Sequence, residues 1–394
     1  MLSFDQICDR RNTDSTKWDR YESRYGLRDV VPLWVADMDF PCMEEVQNAV
    51  IRRAGHPVYG YTDVGKDLVR AVIDWESRQH HIEVSEEEIV WNTGVVYGFY
   101  TLIEWLVRPE EKVIVQPPVY PPFFRTPESL GRRVVYSPLR RNGDVWEMDL
   151  EDFEAKLKAD PSIRMFLLCN PHNPVGRCWS RDELEKLLDL CGRYGLYVVS
   201  DEIHADIVFP GTKHMSVLAC DGCRNDRVIL LGSATKTFNL AGLKISYAIV
   251  KNPALGRKFA AIAKACGLSS VNLFAMEAMK AAYRHGDTWK DACVSYIYKN
   301  FRFMENYLKE KAPEIDFSIP QATYLGWMDM GALPMPENFC ERLKREGHVE
   351  FQAGEGFGDA YADFLRVNLA CPRRTLEEGL CRMTAWLKEN GCLT

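Results

Sequence analysis

Short apolar runs alternate with amphipathic segments through the middle of the chain, between Ser85 and Val250. The runs are rich in β-branched residues and read EIVWNT, KVIVQP, RVVYS, RMFLLCN, GLYVVSDE, RVILLGS and ISYAIV. Continuous hydrophobicity of this kind is typical of strands that are buried on both faces of a parallel sheet. Between two of the runs, SRDELEKLLDLCGRYG has helical spacing, a capping box of Ser180 and Glu183, and Gly195 near its end. The pattern predicts an α/β domain with a mostly parallel sheet.

The pattern changes after the last of these runs. Long helices are predicted in GRKFAAIAKACG, SVNLFAMEAMKAAYRHG and DTWKDACVSYIYKNFRFMENYLKEKAP, followed by strands in TYLGWMDM and FLRVNLA. A final helix is expected to begin at Thr375, with Glu378 in the capping position. We therefore predict a large domain and a smaller α+β domain, divided as an N-terminal segment 1–45 that completes the small domain, a large domain 46–285 and a C-terminal part 286–394.

Composition and charge narrow the function classes. The chain has 394 residues, of which 46% are hydrophobic and 27% charged, and its net charge is -7. These values are ordinary for a globular protein and give no reason to expect a nucleic-acid or membrane surface. The N-terminal sequence lacks the apolar stretch of a secretory signal, and no stretch of about twenty apolar residues is present. We expect a soluble, cytoplasmic protein.

The thirteen cysteines are scattered, and several, such as Cys169 and Cys371, lie in apolar runs. This distribution favours buried free thiols in a reducing compartment over a disulfide framework. Cys220 and Cys223 form one C-x-x-C, but a zinc site normally needs a second pair of ligands. We expect two incidental thiols there and no metal site.

The segment SATKTFNLAGLK places Lys236 directly after a predicted strand. A lysine that is partly desolvated by such a position stays nucleophilic near neutral pH. Ser233 and Thr235 could offer hydroxyl groups to a phosphate on the same side. A surface lysine in a turn is the alternative interpretation of this segment taken alone.

Asp201 ends another predicted strand, in VVSDEIHAD. Open α/β sheets bind ligands outside the carboxyl ends of their strands, and a carboxylate there can keep a pyridine nitrogen protonated. Glu202, His204 and Asp206 are alternatives by residue type, and a simple helix cap is another possibility.

Three further segments offer groups for a flat, phosphorylated ligand. Asn173 in NPHNPVGR can present its amide to a ligand oxygen, and Tyr120 among the prolines of QPPVYPPF can stack on a ring. After the strand IVWN, Thr93 is a natural N-cap, and the N–H groups of Gly94 and Val95 could bind a phosphate. Each segment could also be purely structural.

Arg366 lies within the apolar run FLRVNLACP, where an arginine needs a carboxylate partner from a ligand or from an internal salt bridge. Asn173, Asp201, Lys236 and Arg366, in this order along the chain, resemble the type I fold of pyridoxal 5′-phosphate (PLP) enzymes. The segments PLWVADMDF, YGYTDVG, PPVYPPF, SDEIHAD, TYLGWMD and RVNLACPR are similar to the cystathionine β-lyase branch of C–S lyases, which includes the bifunctional maltose-regulon modulator type.

The resemblance implies a role for each matching residue. The cofactor residues would be Lys236 as the Schiff-base lysine, Asp201 at the pyridinium nitrogen, Asn173 at the 3′-oxygen, Tyr120 stacked on the ring, and Gly94, Val95, Ser233 and Thr235 at the phosphate. Tyr61 would reach the phosphate of a neighbouring subunit, which implies a homodimer with a shared active site. The substrate α-carboxylate would be bound by Arg366, with Ala36 and Tyr324 nearby.

Two positions depart from the aminotransferase pattern. His204 stands where aminotransferases of this fold usually have tyrosine, and Lys244 stands where many relatives place an arginine against the phosphate. The resemblance implies β-elimination from cystathionine or a cysteine-type substrate, which gives a thiol (homocysteine or sulfide), pyruvate and ammonia. An aminotransferase is the nearest alternative, and a regulatory protein-binding role on the same fold is the second. The sequence does not identify the preferred sulfur amino acid.

Overall fold

The structure, a computed structural model, describes residues 3–220 and 226–393, so Cys223 of the C-x-x-C lies outside the described residues. Contacts divide the chain into two compact units, which we call unit 1 (Met1–Pro41, Pro174–Gly176 and Asp291–Thr394) and unit 2 (Cys42–Asn173 and Arg177–Lys290). Among the described residues, no helix combines the length and the apolarity that crossing a bilayer requires.

The strands, in chain order, are β1 (Val31–Pro32), β2 (Ile89–Asn92), β3 (Lys112–Val115), β4 (Arg133–Tyr136), β5 (Arg140–Asn142), β6 (Val145–Glu147), β7 (Ile163–Cys169), β8 (Tyr197–Asp201), β9 (Val228–Gly232), β10 (Ser246–Val250), β11 (Leu325–Asp329), β12 (Val349–Glu350), β13 (Gln352–Ala353) and β14 (Phe364–Asn368).

The α-helices are α1 (Arg20–Tyr25), α2 (Glu44–Ala54), α3 (Lys66–His80), α4 (Val95–Leu106), α5 (Pro122–Ser129), α6 (Leu150–Ala159), α7 (Arg181–Arg193), α8 (Pro253–Ala265), α9 (Leu273–His285), α10 (Asp287–Lys311), α11 (Phe339–Glu346) and α12 (Arg373–Glu389).

Unit 2 is built on a seven-stranded sheet with the order β2-β10-β9-β8-β7-β3-β4. Strands β9, β8, β7, β3 and β4 run parallel, while β10 is antiparallel to both of its neighbours. These are the seven strands that the apolar runs predict, and the mostly parallel α/β fold is confirmed. One face of the sheet packs on α4, α5 and α8 through a buried cluster that includes Phe99, Leu102, Ile103, Phe123, Val115, Leu167, Val199, Leu231 and Phe259.

The capping box predicted for α7 is present, because Ser180 Oγ accepts from Glu183 N and the Glu183 carboxylate accepts from Ser180 N. Two predicted helix starts are wrong. The N-cap of α4 is Gly94 rather than Thr93. Helix α12 begins at Arg373, after Pro372 as N-cap, and therefore two residues before Thr375. At both sites a glycine or a proline sets the backbone turn, and this outweighs the capping preference of threonine.

Unit 1 contains a three-stranded antiparallel sheet, β11-β14-β13, and the parallel pair β1-β12. Strands β11 and β14 are the two predicted from TYLGWMDM and FLRVNLA. Arg366 lies in the central strand of the sheet, opposite Trp327 on one side and Gln352 on the other.

Candidate active site

The carboxyl ends of neighbouring parallel strands in unit 2 meet at one edge of the sheet. Asp201, the last residue of β8, is in register with Cys169 of β7 and Leu231 of β9. Backbone hydrogen bonds continue this register, since Asn170 N donates to Asp201 O at 3.0 Å and Glu202 N donates to Leu231 O at 2.9 Å. The segments that carry Asn173, Asp201 and Lys236 therefore start side by side.

Asp201 is buried, and its Oδ1 accepts a hydrogen bond from Ile203 N at 3.1 Å. Burial raises the pKa of Asp201 to about 7, although the Ile203 hydrogen bond and the positive charge of Lys236 act in the opposite direction. Lys236 therefore lies close enough to Asp201 for their charges to interact. A carboxyl group in this position binds a positively charged partner strongly, because such a partner favours its ionised form.

The segment after β9 is tightly hydrogen-bonded. Ser233 Oγ donates to Ile245 O at 2.6 Å and lies 2.8 Å from Thr235 Oγ1, and it also accepts from Thr235 N at 3.1 Å. Ser233 and Thr235 are buried, whereas Lys236 is half-buried. Because Lys236 follows this ordered turn, its side chain starts from a fixed backbone position.

The N-terminus of α4 lies at the same edge of the sheet. Asn92 of β2 pairs with Ser246, and the adjacent Tyr247 pairs with Gly232 of β9. The N-cap Gly94 has φ 158 and ψ 152, a region that is nearly confined to glycine. The first backbone hydrogen bond of the helix runs from Gly98 N to Gly94 O at 3.1 Å. The preceding N–H groups are the ones that a helix leaves for an anion.

Tyr120 and Asn173 are held together on the β3–β7 side of the site. Tyr120 N donates to Asn173 O at 3.0 Å, and His172 Nε2 lies 2.9 Å from Pro118 O. Asn173 is buried and Tyr120 is half-buried. The structure thus brings these two predicted residues into direct backbone contact.

In unit 1, Arg366, Ala36 and Tyr324 come together. Arg366 is buried, its Nη2 donates to Trp34 O at 3.1 Å, and its guanidinium carbon lies 4.9 Å from the centre of the Phe357 ring. Tyr324 Oη donates to Ala36 O at 2.8 Å. One of these Arg366 contacts is to a backbone carbonyl, and the other is to an aromatic ring.

Tyr61, Lys244 and His204 take no part in the contacts described above for the candidate site. Tyr61 is fully exposed on unit 2. Lys244 is exposed and has φ 53, and its neighbour Ile245 accepts the Ser233 hydrogen bond. His204 is buried in the turn after β8. Sequence reasoning missed His80 altogether, which contacts Asp206 at 2.9 Å, because nothing in an amphipathic helix marks one histidine as the partner of a distant aspartate.

Comparisons with known proteins show the family to which the chain belongs. The family model for aminotransferase class I and II matches residues 28–383. The chain is 37% identical to "Cystathionine beta-lyase PatB" of Bacillus subtilis over 98% of this chain and 100% of that protein, and 34% identical to "Protein MalY" of Escherichia coli over 96% and 97%. The crystal structure titled as the PLP-bound C-S lyase from Staphylococcus hominis has a TM-score of 0.91 and 30% identity, and covers 98% of each chain. The family resemblance is confirmed, and the chain belongs to the class I and II aminotransferase family.

Proposed function

We propose that this protein is a PLP-dependent C–S β-lyase that cleaves cystathionine or a cysteine-type substrate to a thiol, pyruvate and ammonia. The observation that carries the proposal is the charge interaction of Lys236 with the buried Asp201, in a chain that resembles proteins named as cystathionine β-lyase and C–S lyase. Asp201 ends β8, and Lys236 follows the adjacent strand β9. When it is bound, PLP supplies an electron sink for the charge that develops at the substrate Cα.

The residues of unit 2 fit this cofactor. The pKa of Asp201 is about 7 without a ligand, so a protonated ring nitrogen would supply the counter-charge that burial otherwise denies it. Asn173 offers an amide, and Tyr120 offers an aromatic face from the adjoining loop. A planar, cationic ring matches this set of groups.

The opposite end of the site fits a phosphate. The N-terminus of α4 after Gly94 supplies N–H groups, including that of Val95, and Ser233 and Thr235 supply hydroxyl groups. Lys244 adds a point charge at the surface. The full exposure of Tyr61 is consistent with a role for this side chain at the site of a second copy, so we propose a homodimer with shared active sites.

The roles of the chain's own groups follow from their chemistry. Lys236 would hold the cofactor through its amine and, once free, would take the substrate Cα proton as a general base. Asp201 would hold the ring nitrogen in its protonated form. Arg366, with the backbone at Ala36 and with Tyr324, orients the substrate through its α-carboxylate. Loss of a thiolate from Cβ would complete the elimination, and the unsaturated amino acid that is released would take up water to give pyruvate and ammonia.

Every cysteine among the described residues is a free thiol. Burial raises the pKa of Cys178 and that of Cys371 to about 12. Protonated, buried thiols are typical of proteins in a reducing compartment. This supports our proposal that the protein acts in the cytoplasm.

The test is pyruvate release from cystathionine in the absence of any keto-acid acceptor. We expect wild-type protein loaded with PLP to release pyruvate and homocysteine in equal amounts, and Lys236→Ala to release neither. Borohydride should bleach the visible absorption of the loaded protein and attach the cofactor to Lys236. If pyruvate forms only after a keto acid is added, the protein is an aminotransferase, the activity for which its family is named.

A further inference from the structure

The buried carboxylate of Asp206 binds the segment that carries Lys236. Thr237, the next residue, is buried, and its Oγ1 donates to Asp206 Oδ2 at 2.6 Å. The side chain of Asp206 is only 6% exposed. A charge-assisted hydrogen bond at this distance is among the stronger ones that a hydroxyl group makes. It holds Thr237 in place, and Thr237 is the residue that follows Lys236.

Helix α3 in turn fixes Asp206. Asp206 Oδ1 accepts from Trp75 Nε1 at 3.1 Å and lies 2.9 Å from His80 Nε2. The Trp75 ring also makes an edge contact with Phe238, at 5.6 Å between ring centres. The segment Lys236–Phe238 is thus held at Thr237 by a carboxylate and at Phe238 by an aromatic ring, and both supports depend on α3.

Asp206 and His80 form an ion pair inside unit 2. Burial opposes the charge on His80, but the hydrogen bond to Asp206 and the charge of Glu76 outweigh it and raise the pKa of His80 to about 9. The same pairing outweighs burial for Asp206 and lowers its pKa. Other titratable groups that face the pair are Glu76, Glu202, Lys290, His214 and Tyr283.

We propose that Asp206, paired with His80 and oriented by Trp75, is a positioning residue that fixes the backbone of Lys236 through Thr237. The proposal rests on the proposed function, since it concerns how the amine of Lys236 is presented to PLP. Asp206 does not touch the reacting atoms in this arrangement. It acts only through the hydroxyl group of Thr237.

The decisive comparison is Thr237→Val against Thr237→Ser. Valine keeps the shape but removes the hydroxyl group and leaves a buried carboxylate oxygen without its donor, whereas serine keeps the donor. We expect T237V to raise the dissociation constant for PLP by about tenfold and T237S to stay within about threefold of wild type. The pH midpoint of the visible absorption of bound PLP should move in T237V and return in T237S, because it reports the environment of the link to Lys236.

A merely structural role gives a different result. In that case T237V would lose the same free energy of unfolding with and without PLP, its PLP dissociation constant would stay within twofold of wild type, and the pH midpoint would not move. That outcome overturns the proposal. If wild-type protein itself shows no PLP absorption that borohydride bleaches, the proposed function fails first, and the positioning role fails with it.

Lys251 and Glu88 provide the control for the ion pair. Lys251 Nζ lies 2.7 Å from Glu88 Oε2, and the two side chains are 34% and 20% exposed. Glu88 comes just before β2 and Lys251 just after β10, so this pair lies at the edge of the sheet opposite to Asp201. We expect His80→Gln to weaken PLP binding and Lys251→Gln to leave it unchanged while it lowers stability slightly. Equal increases in the dissociation constant would show general loosening of unit 2 and contradict the proposal.

Discussion

Lys17 Nζ lies 2.7 Å from Asp39 Oδ2 in unit 1, and both side chains are almost completely buried, at 0% and 4% exposure. Arg10 adds a second cation, 2.7 Å from Asp39 Oδ1 and 2.6 Å from Asp37 Oδ2. These bonds anchor the segment that also presents Ala36 to Tyr324. The first residues of the chain therefore stabilise the part of unit 1 to which we assign substrate binding.

The first prediction concerns this network. Asp39→Ala removes the nearer carboxylate of the buried Lys17, leaves only Asp37 Oδ1 at 3.5 Å, and also removes the acceptor of Trp18 Nε1. We expect a loss of about 3–5 kcal/mol in the free energy of unfolding. Urea denaturation monitored by tryptophan fluorescence measures it. The control is Glu22→Ala, which breaks an ion pair with Arg28 whose side chains are 62% and 81% exposed, and which should cost less than about 1 kcal/mol. Similar losses in the two variants would contradict the importance of the buried pair.

The second prediction compares two glycines with similar backbone angles. Gly176 has φ +66, and a Cβ there would lie 2.3 Å from Pro320 Cβ and 2.7 Å from Ala322 O. Gly131 has φ +71, and nothing lies within 4 Å of its Cβ position. We expect Gly131→Ala to cost about 1–2 kcal/mol, from the backbone conformation alone. Gly176→Ala should cost at least about 3 kcal/mol because the clash adds to that strain. Thermal unfolding of both variants measures the two losses of stability. Equal losses would show that the neighbours of Gly176 move aside without strain.

Much of the large sheet was predictable because its strands are buried on both faces and therefore read as continuous apolar runs. Asp201 lies at the end of one of those runs and Lys236 three residues after another, so the sheet edge that they share could also be predicted. The hairpin of β5 and β6 could not, because its residues are mostly exposed and carry little hydrophobic signal.

Contacts between residues that are far apart in the sequence could not be predicted for a different reason. His80 and Asp206 are 126 positions apart, and Lys17 and Asp39 are 22 apart. Their pairing follows from how helices and loops pack, which no local pattern records. The sequence indicates both Asp201 and Asp206 as possible partners of a ring nitrogen. Only the packing of Asp206 against α3 shows that the two carboxylates have different partners.

The third prediction concerns Arg366. Arg366→Lys keeps the charge but removes the planar fork and the contact with the Phe357 ring, so we expect KM for the amino-acid substrate to rise by about tenfold to a hundredfold, with a smaller change in kcat. Steady-state kinetics with PLP at saturation measures both constants. Arg382→Lys is the control, since Arg382 binds Asp29 and Glu378 on the surface of the same unit. An unchanged KM in R366K would remove Arg366 from the substrate site.

The last prediction uses the titration of Asp201. Its pKa is about 7 in the folded, ligand-free protein, against an ordinary value of 3.8. Between these values the folded state holds a proton that the unfolded state has lost. The stability of the ligand-free protein therefore falls as the pH rises from about 4 to about 7, by roughly 4 kcal/mol at about 1.4 kcal/mol per pKa unit, and is level above that range.

Asp201→Asn has no carboxyl group to ionise and should lack the part of this fall that Asp201 causes, whereas Glu76, whose pKa burial also raises to about 7, contributes equally in both proteins. Without PLP, its advantage over wild type should grow between about pH 4 and pH 7 and then stay constant, as measured by urea unfolding at each pH. Asp160→Asn is the control, because the Lys112 hydrogen bond holds the pKa of Asp160 at about 2 and its titration is complete below this range. With PLP added, wild type should become the more stable of the two proteins at about pH 8. The reason is that only the ionised carboxylate of wild type binds a protonated ring nitrogen strongly. A difference between D201N and wild type that does not vary with pH would mean that burial does not raise the pKa of Asp201, and the argument that this carboxyl group lacks a counter-charge in the ligand-free protein would fail.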